Sequence, residues 1–416
     1  MPRLYLHNFG PIKEAKLNLR RFNFFTGPQS MGKSCILKTA CHCAWTEKKL
    51  MLGLTPENWS AGDFLKPMLK FHRMWGYQQD DTRIEYETSN LSFALDLKKN
   101  TFEVKKKQKW SFRRSKISYI PAERNLVSSL KWNKVTFDED NISSFVSDWD
   151  TARKSLKEQE LDILELGFSY SYDENSNADY VRISTELSLP IESVSSGLQS
   201  LIPLALYLKY LTEDVFKDTS NTLAQRFINK ELRHQIYKSI AKKNDYEHTL
   251  GNNQVLRDIG GEQFPFATQK QAEQMEKIYN NFTLYQQSDV YMEEPEAHLY
   301  PQTQVELVRA LARSIKRNRY SSLSIATHSP YIMSAMNNLL QAGLLQKERN
   351  LPVSHVEKIV GERAILYASE VAAYEVMDGF VRDMIDPETG LMVADAMDSA
   401  SIVVEQEFSK LLYYED

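Results

Sequence analysis

The sequence predicts an α/β fold: a mixed sheet with an antiparallel β lobe, a helical subdomain and a helical insertion. Three observations predict it. First, the aromatic run Phe22, Phe24 and Phe25 leads into Gly27-Pro28-Gln29-Ser30-Met31-Gly32-Lys33-Ser34, and Cys35, Ile36, Leu37 and Ala40 then give a helix its buried side. That is the strand, loop and helix a G-x-x-x-x-G-K-S pattern requires. Second, alternating apolar runs at 82–88, 91–97 and 101–104 are separated by Ser89-Asn90 and Lys98-Lys99-Asn100, the pattern of an antiparallel meander. Third, two apolar runs end in polar groups, one at Glu293-Glu294 and one at Thr327-His328.

The loop has a chemical reading of its own. Glycines at its two ends let successive N–H groups turn inward, and the following helix offers its positive end, so the stretch is suited to cradling phosphate. Lys33 then reaches the β- and γ-phosphates of a nucleoside triphosphate, and Ser34 holds Mg²⁺. The paired carboxylates Glu293 and Glu294 suit a magnesium nucleotide site, which needs one acid near the metal and one near the attacking water.

Bulk numbers bound the rest. A chain of 416 residues buries one large core or two smaller ones, since single cores stop growing at roughly 250–300 residues. One nucleotide-binding domain with insertions is the simplest fit. The expected units are 1–140 with the loop and meander, 141–211 as a helical lobe, 212–287 as a helical insertion, 288–345 completing the first lobe, and 346–416 as a C-terminal α/β extension. A formal charge of -4 argues against a polyanion-coating protein while leaving room for a local basic patch. The three cysteines, Cys35, Cys41 and Cys43, exclude a disulfide framework and point to a reducing, cytoplasmic compartment. Cys41-His42-Cys43 lacks a second ligand pair for zinc. No apolar run reaches the roughly 18 residues of a membrane helix, and the N-terminus has no signal-peptide core, so no membrane association is expected.

In chain order, residues 3–10 and 12–19 alternate as two antiparallel strands leading into the loop strand, and 63–77 shows no readable pattern. Between Lys98 and Lys116 nine basic residues face a single acid, Glu103, with Trp110 and Phe112 interleaved. Lys98, Lys105, Lys106, Lys107, Lys109, Arg113 and Arg114 are therefore either a nucleic-acid or partner-binding edge or a charged edge strand that discourages aggregation. Ile142, Phe145, Val146, Trp149 and Ala152 are spaced as an amphipathic helix, and strands are expected at 168–172 and 180–183. Ser196 reads as the N-cap of an apolar helix at 201–211, with Gly197 permitting close approach and Pro203 expected to kink it. Residues 221–244 carry an apolar stripe at Ile228, Leu232, Ile236 and Ile240 and a basic face including Arg226, Lys242 and Lys243, and Gly251 marks a loop beyond it. The tail has strand-like runs at 364–367 and 371–376, a turn at 386–390 and a final helix at 395–412.

Taken in order, Gly27 to Ser34, Ser195 to Ser200, Val290 to Glu294 and Thr327-His328 resemble the Walker A, signature, Walker B and His-switch segments of an ABC-type ATPase. N-F-G-P-I-K-E at Asn8 to Glu14, Y-I-P-A-E-R at Tyr119 to Arg124, E-E-P-E-A-H-L at Glu293 to Leu299 and T-H-S-P resemble the RecF, SMC and overcoming-lysogenization-defect group in particular. The resemblance implies an ABC-type head that binds ATP and Mg²⁺. Gly27 to Cys35 would bind the phosphates, Ser34 and Glu293 the metal, Glu294 would polarise water and His328 would sense the γ-phosphate. Ser196 and Gly197 would close on the nucleotide of a second protomer in a head-to-tail homodimer. This sequence has Glu293 where the family has Asp, Leu198 where it has a signature Gly, and Glu123 or Arg124 at the Q-loop. The stretch after His328 is short for that group's TOPRIM nuclease, and Asp395 and Asp398 are spaced D-x-x-D rather than D-x-D. Stand-alone ATPases of this shape resemble those of bacterial anti-phage systems, AriA of PARIS or the Septu ATPase. The resemblance thus implies a homo-oligomer holding a separate nuclease effector, with a RecF-type DNA-repair ATPase as the rival.

Overall fold

The computed structural model describes residues 1–55, 59–129, 138–217, 223–241, 255–349, 351–393 and 399–412. β1 (Arg3–Phe9) and β2 (Ile12–Asn18) pair antiparallel as their alternation predicts. β3 (Phe22–Thr26) carries the aromatic run to the loop, and the helix Lys33–Leu52 follows it. β4 (Gln78–Glu87), β5 (Leu91–Asp96) and β6 (Thr101–Lys106) form the meander, attached through β4 to β1. β7 (Ser115–Ile120) comes next. β8 (Leu161–Asp162), β9 (Ser169–Asp173), β10 (Ala178–Arg182) and β11 (Ser188–Pro190) make a small separate sheet, and β12 (Val255–Asp258) with β13 (Gln263–Phe266) a hairpin. β14 (Gln287–Glu293), β15 (Ser322–Ala326), β16 (Val371–Met377) and β17 (Phe380–Asp383) complete the main sheet.

Among the described residues that sheet has eleven strands in the order β6-β5-β4-β1-β2-β17-β16-β3-β15-β14-β7. Strands β16, β3, β15, β14 and β7 run parallel to one another, and β17 joins them antiparallel to β16. The loop strand lies inside this parallel block because it is apolar on both faces: Phe22 and Phe24 enter one core, Phe25 the other. Helices Asn141–Ser155, Ser196–Thr212, Pro301–Lys316 and Pro330–Glu348 cover the first face. Helices Lys33–Leu52, Ala61–Phe71 and Gln269–Thr283 cover the second.

Several expectations are corrected. β2 leads into β3 along the chain as expected, but in the sheet β17 and β16 lie between them. The tail is therefore part of the central sheet: β16 pairs directly with the loop strand. Residues 364–367 form no strand, although Leu366 N–H donates to the Leu339 carbonyl at 3.1 Å. The stretch at 63–77 holds most of a helix, Ala61–Phe71, started by a reciprocal cap between Ser60 and Asp63. Among the described residues the helical lobe and the insertion share the cores of the main sheet: Trp149 and Tyr207 belong to the core of Phe22, Leu232 and Phe282 to that of Phe25. Pro203 sits inside a continuous helix. Within the described residues the final helix runs Ser399–Leu412, and the expected start at 395 lies outside them. Asp395, Asp398, Lys242, Lys243 and Gly251, with the side chains of Arg226 and Ile228, lie outside the described residues.

Candidate functional site

In an open parallel sheet, ligands bind beyond the carboxyl ends of the strands. The ends of β3, β14, β15 and β7 bring the loop, Glu293-Glu294, Thr327-His328 and Pro121 to Arg124 to that one edge.

The loop takes the shape its sequence requires. Gly27 and Gly32 have φ of 132° and 109°, a region L side chains rarely adopt, and Ser30 has φ of 64°. A Cβ at Gly27 would overlap the Val376 carbonyl oxygen, and one at Gly32 would press on Ile12. The helix Lys33–Leu52 starts at Gly32 with no side-chain cap, leaving its first N–H groups for an anion. Pro28, Gln29, Ser30 and Ser34 are exposed, and Met31 is half-buried. Cys35 is buried with Sγ 3.5 Å from the Phe9 carbonyl, and burial pushes its thiol up to about 12, so only its backbone can face a ligand. Lys33 is buried and donates to the Gly27 and Pro28 carbonyls at 2.8 and 2.7 Å. Burial lowers its ammonium to about 8, opposed by the charges of Glu294 and Glu296.

At the end of β14, Glu293 is buried, with Oε1 3.9 Å from the Lys38 ammonium. Glu294 has φ of 42°, a strained value for a non-glycine, and its N–H donates to the Ala326 carbonyl at 2.8 Å. Its carboxylate is half-exposed and lies 3.8 Å from His328 Nε2. His328 precedes Ser329, whose hydroxyl caps the helix Pro330–Glu348 by accepting from the Tyr331 and Ile332 N–H groups.

One residue here escaped sequence reasoning, and another was given a different part. Glu296 Oε1 accepts from Thr327 Oγ1 at 2.8 Å and from His328 N–H at 2.7 Å, tying the β14 turn to the β15 turn, while its Oε2 is buried with no hydrogen-bond partner among the described residues. The third acid of E-E-P-E was the available signal. Arg124, named only as a Q-loop alternative, is fully buried and donates to the carbonyls of Glu293, Glu294 and Pro295 at 3.1, 2.9 and 3.0 Å. Burial lowers its pKa to about 10, with Glu296 and Glu294 opposing. It braces the carboxylate turn from beneath, whereas Glu123 is exposed.

Ser196 is not the N-cap; Ser195 is, its hydroxyl accepting from Leu198 N–H at 3.4 Å. Ser196 is then an exposed first helical residue, and Gly197 lies against the His298 carbonyl, where a Cβ would approach to 3.1 Å. Among the described residues no hydrogen bond joins either to the loop.

The basic run does not form one surface. Arg114 donates to the Thr283 carbonyl at 2.7 Å and Arg113 stacks on Tyr320. Lys109 donates to Gln235 at 2.7 Å, Lys116 pairs with Asp148 at 2.8 Å, and Lys107 pairs with Glu87. Lys105 and Lys106 remain exposed on β6, the sheet edge.

No protein-family model matches the sequence, and no curated protein matches it. Solved structures that match include the SMC head domain from Thermotoga maritima, at 10% identity and TM-score 0.38 over 92% of this chain and 97% of that one. The recombination mediator protein RecF of the RecFOR pathway matches at 9% identity and TM-score 0.29, over 92% of this chain and 97% of that one. The ADP conformation of an ATP-binding cassette of an ABC transporter matches at 10% identity and TM-score 0.31, over 98% of this chain and 99% of that one. Likeness this loose adds nothing to the geometry of the site.

Proposed function

We propose that this chain is an ATP-binding and ATP-hydrolysing subunit of the ABC type. The observation that carries the reading is the convergence, at one sheet edge, of an uncapped helix start carrying Lys33 with a buried Glu293 and a Glu294–His328 pair 3.8 Å apart. Lys33 and the loop N–H groups hold the phosphates. Ser34 and Glu293 offer the hydroxyl and carboxylate oxygens that suit Mg²⁺, which when bound neutralises charge on the β- and γ-oxygens. Glu294 orients the attacking water, and His328 senses the γ-phosphate. The exposed start of the helix Ser196–Thr212 closes on the nucleotide of a second copy, making a head-to-tail homodimer.

Glu294→Gln tests the assignment. ATP binding is retained while turnover falls by about 100-fold or more, and dimer accumulates with ATP and Mg²⁺ in light scattering. Normal hydrolysis by this variant removes Glu294 from its role.

The cellular role in this reading is the sensor or scaffold of an anti-phage system that holds a separate nuclease effector. It draws on the resemblance of the motifs and is tested by co-purification from the native operon. A chain that comes down alone, with phage sensitivity unchanged on its deletion, sinks it. A DNA-repair ATPase is the second reading, favoured by the exposed Lys105 and Lys106 on the edge strand. It requires duplex binding that weakens steeply with salt, strengthens with ATP and is lost in Lys105→Glu/Lys106→Glu.

A further inference from the structure

The nucleoside end of a triphosphate needs a wall, and the tail carries an exposed aromatic ring on a hairpin whose Val376 packs against Gly27 of the loop. We propose that the tip of the β16–β17 hairpin, above all Phe380, stacks on the base of the nucleotide whose phosphates lie in the Gly27–Ser34 loop. The inference rests on the triphosphate reading of that loop.

Direction comes from the sheet. Glu293, Glu294 and His328 mark the γ end, and they follow β14 and β15, which lie on one side of β3. A triphosphate pointing that way leaves its nucleoside on the other side, where β16, β17 and β2 stand. The hairpin there is built against the loop. Val376 comes so close to Gly27 that no side chain fits between them. The Gly379 carbonyl accepts from the Lys13 and Glu14 N–H groups at 2.8 and 3.1 Å. Pro11 and Ile12, from the same β1–β2 turn, lie against Gly32. Loop, turn and hairpin tip are thus one packed unit.

Met377 and Phe380 are direct partners across the hairpin and so share a face. They are 43% and 50% exposed, whereas Phe22, Phe24 and Phe25 of the adjacent β3 are fully buried. The Lys13 ammonium lies 5.6 Å from the centre of the Phe380 ring, which puts a cation beside the path from phosphate to base. A solvent-facing phenylalanine at a hairpin tip adds little to folding, but its face is what a base stacks on.

Calorimetric titration of the full chain with ATP and, separately, with inorganic tripolyphosphate tests the assignment. Phe380→Ala is expected to weaken ATP by about tenfold while leaving tripolyphosphate unchanged, and Phe380→Trp to keep ATP affinity within about twofold, since indole offers an equal or larger stacking face. Unchanged ATP affinity in Phe380→Ala overturns the proposal. So does an equal loss for both ligands, which would mean that the substitution disturbs the phosphate loop. Wild-type protein that binds neither ligand overturns the triphosphate reading itself, an outcome distinct from a failure confined to Phe380.

Discussion

Replacing Arg124 by methionine keeps most of the side-chain volume and removes the guanidinium that braces the Glu293–Pro295 turn. Three carbonyls, at 3.1, 2.9 and 3.0 Å, lose the donation of a fully buried side chain; that of Glu294 keeps the Ala297 N–H at 3.0 Å, and those of Glu293 and Pro295 lose this donor. An orphaned buried polar group costs about 1–3 kcal/mol. Relaxation and the relief of burying a charge return part of it, so a net loss of about 3 kcal/mol is expected. Urea unfolding with an unchanged slope is the assay. Turnover is expected to fall further than ATP affinity, because the same turn holds Glu294 at φ 42° and aims Glu296 at His328. Arg124→Lys is expected to fall between the two, since an ammonium cannot span three carbonyls as a planar fork does. A loss below about 1 kcal/mol in Arg124→Met, with normal turnover, would refute the bracing role.

Nucleotide affinity is expected to depend on pH through Lys33. Its ammonium is held down to about 8 by burial, and bound phosphate raises it again. Below pH 8 the charge is present before and after binding; above it a proton must be taken up. The dissociation constant is therefore expected to rise by up to about tenfold per pH unit above 8, and this slope is absent in Lys33→Arg. A flat wild-type profile from pH 7.5 to 9.5 contradicts it. Two glycine substitutions test the packing with opposite signs. Gly343→Ala overlaps the Leu366 carbonyl and is expected to destabilise by about 2–3 kcal/mol. Gly62→Ala meets only Ser60 Oγ at 3.6 Å and is expected to stabilise by about 0.5–1 kcal/mol.

The parts of the fold legible in the sequence are those that local physics decides. Period-two alternation located β1, β2 and the meander to within a few residues, and glycine spacing located the loop, where φ of 132° and 109° exclude side chains. Strand order was not legible. Nothing in Val371–Met377 says that it pairs with β3 across more than 340 residues of chain, because pairing partners are chosen by tertiary packing. The helix Ala61–Phe71 was hidden by Gly62 and Pro67, although its Ser60–Asp63 cap was readable as S-x-x-D. The site was half-legible. Lys33, Glu293, Glu294 and His328 stood out by motif. Arg124 and Glu296 act by reaching carbonyls and a hydroxyl in other segments, contacts that spacing along the chain does not report. The basic run from Lys98 to Lys116 misled for a related reason, since several of its charges are taken up by Thr283, Tyr320, Gln235 and Asp148.

The most direct measurement is the nucleotide-induced shift in melting temperature with ATP and Mg²⁺, for wild type and Lys33→Ala side by side. Saturation at 100 times the dissociation constant adds about 2.7 kcal/mol to a protein that binds only when folded, which gives a readable upward shift in wild type. The account predicts that Lys33→Ala folds and shows no shift. A shift in Lys33→Ala equal to that of wild type would mean that the phosphates are held elsewhere, and the loop assignment would fall.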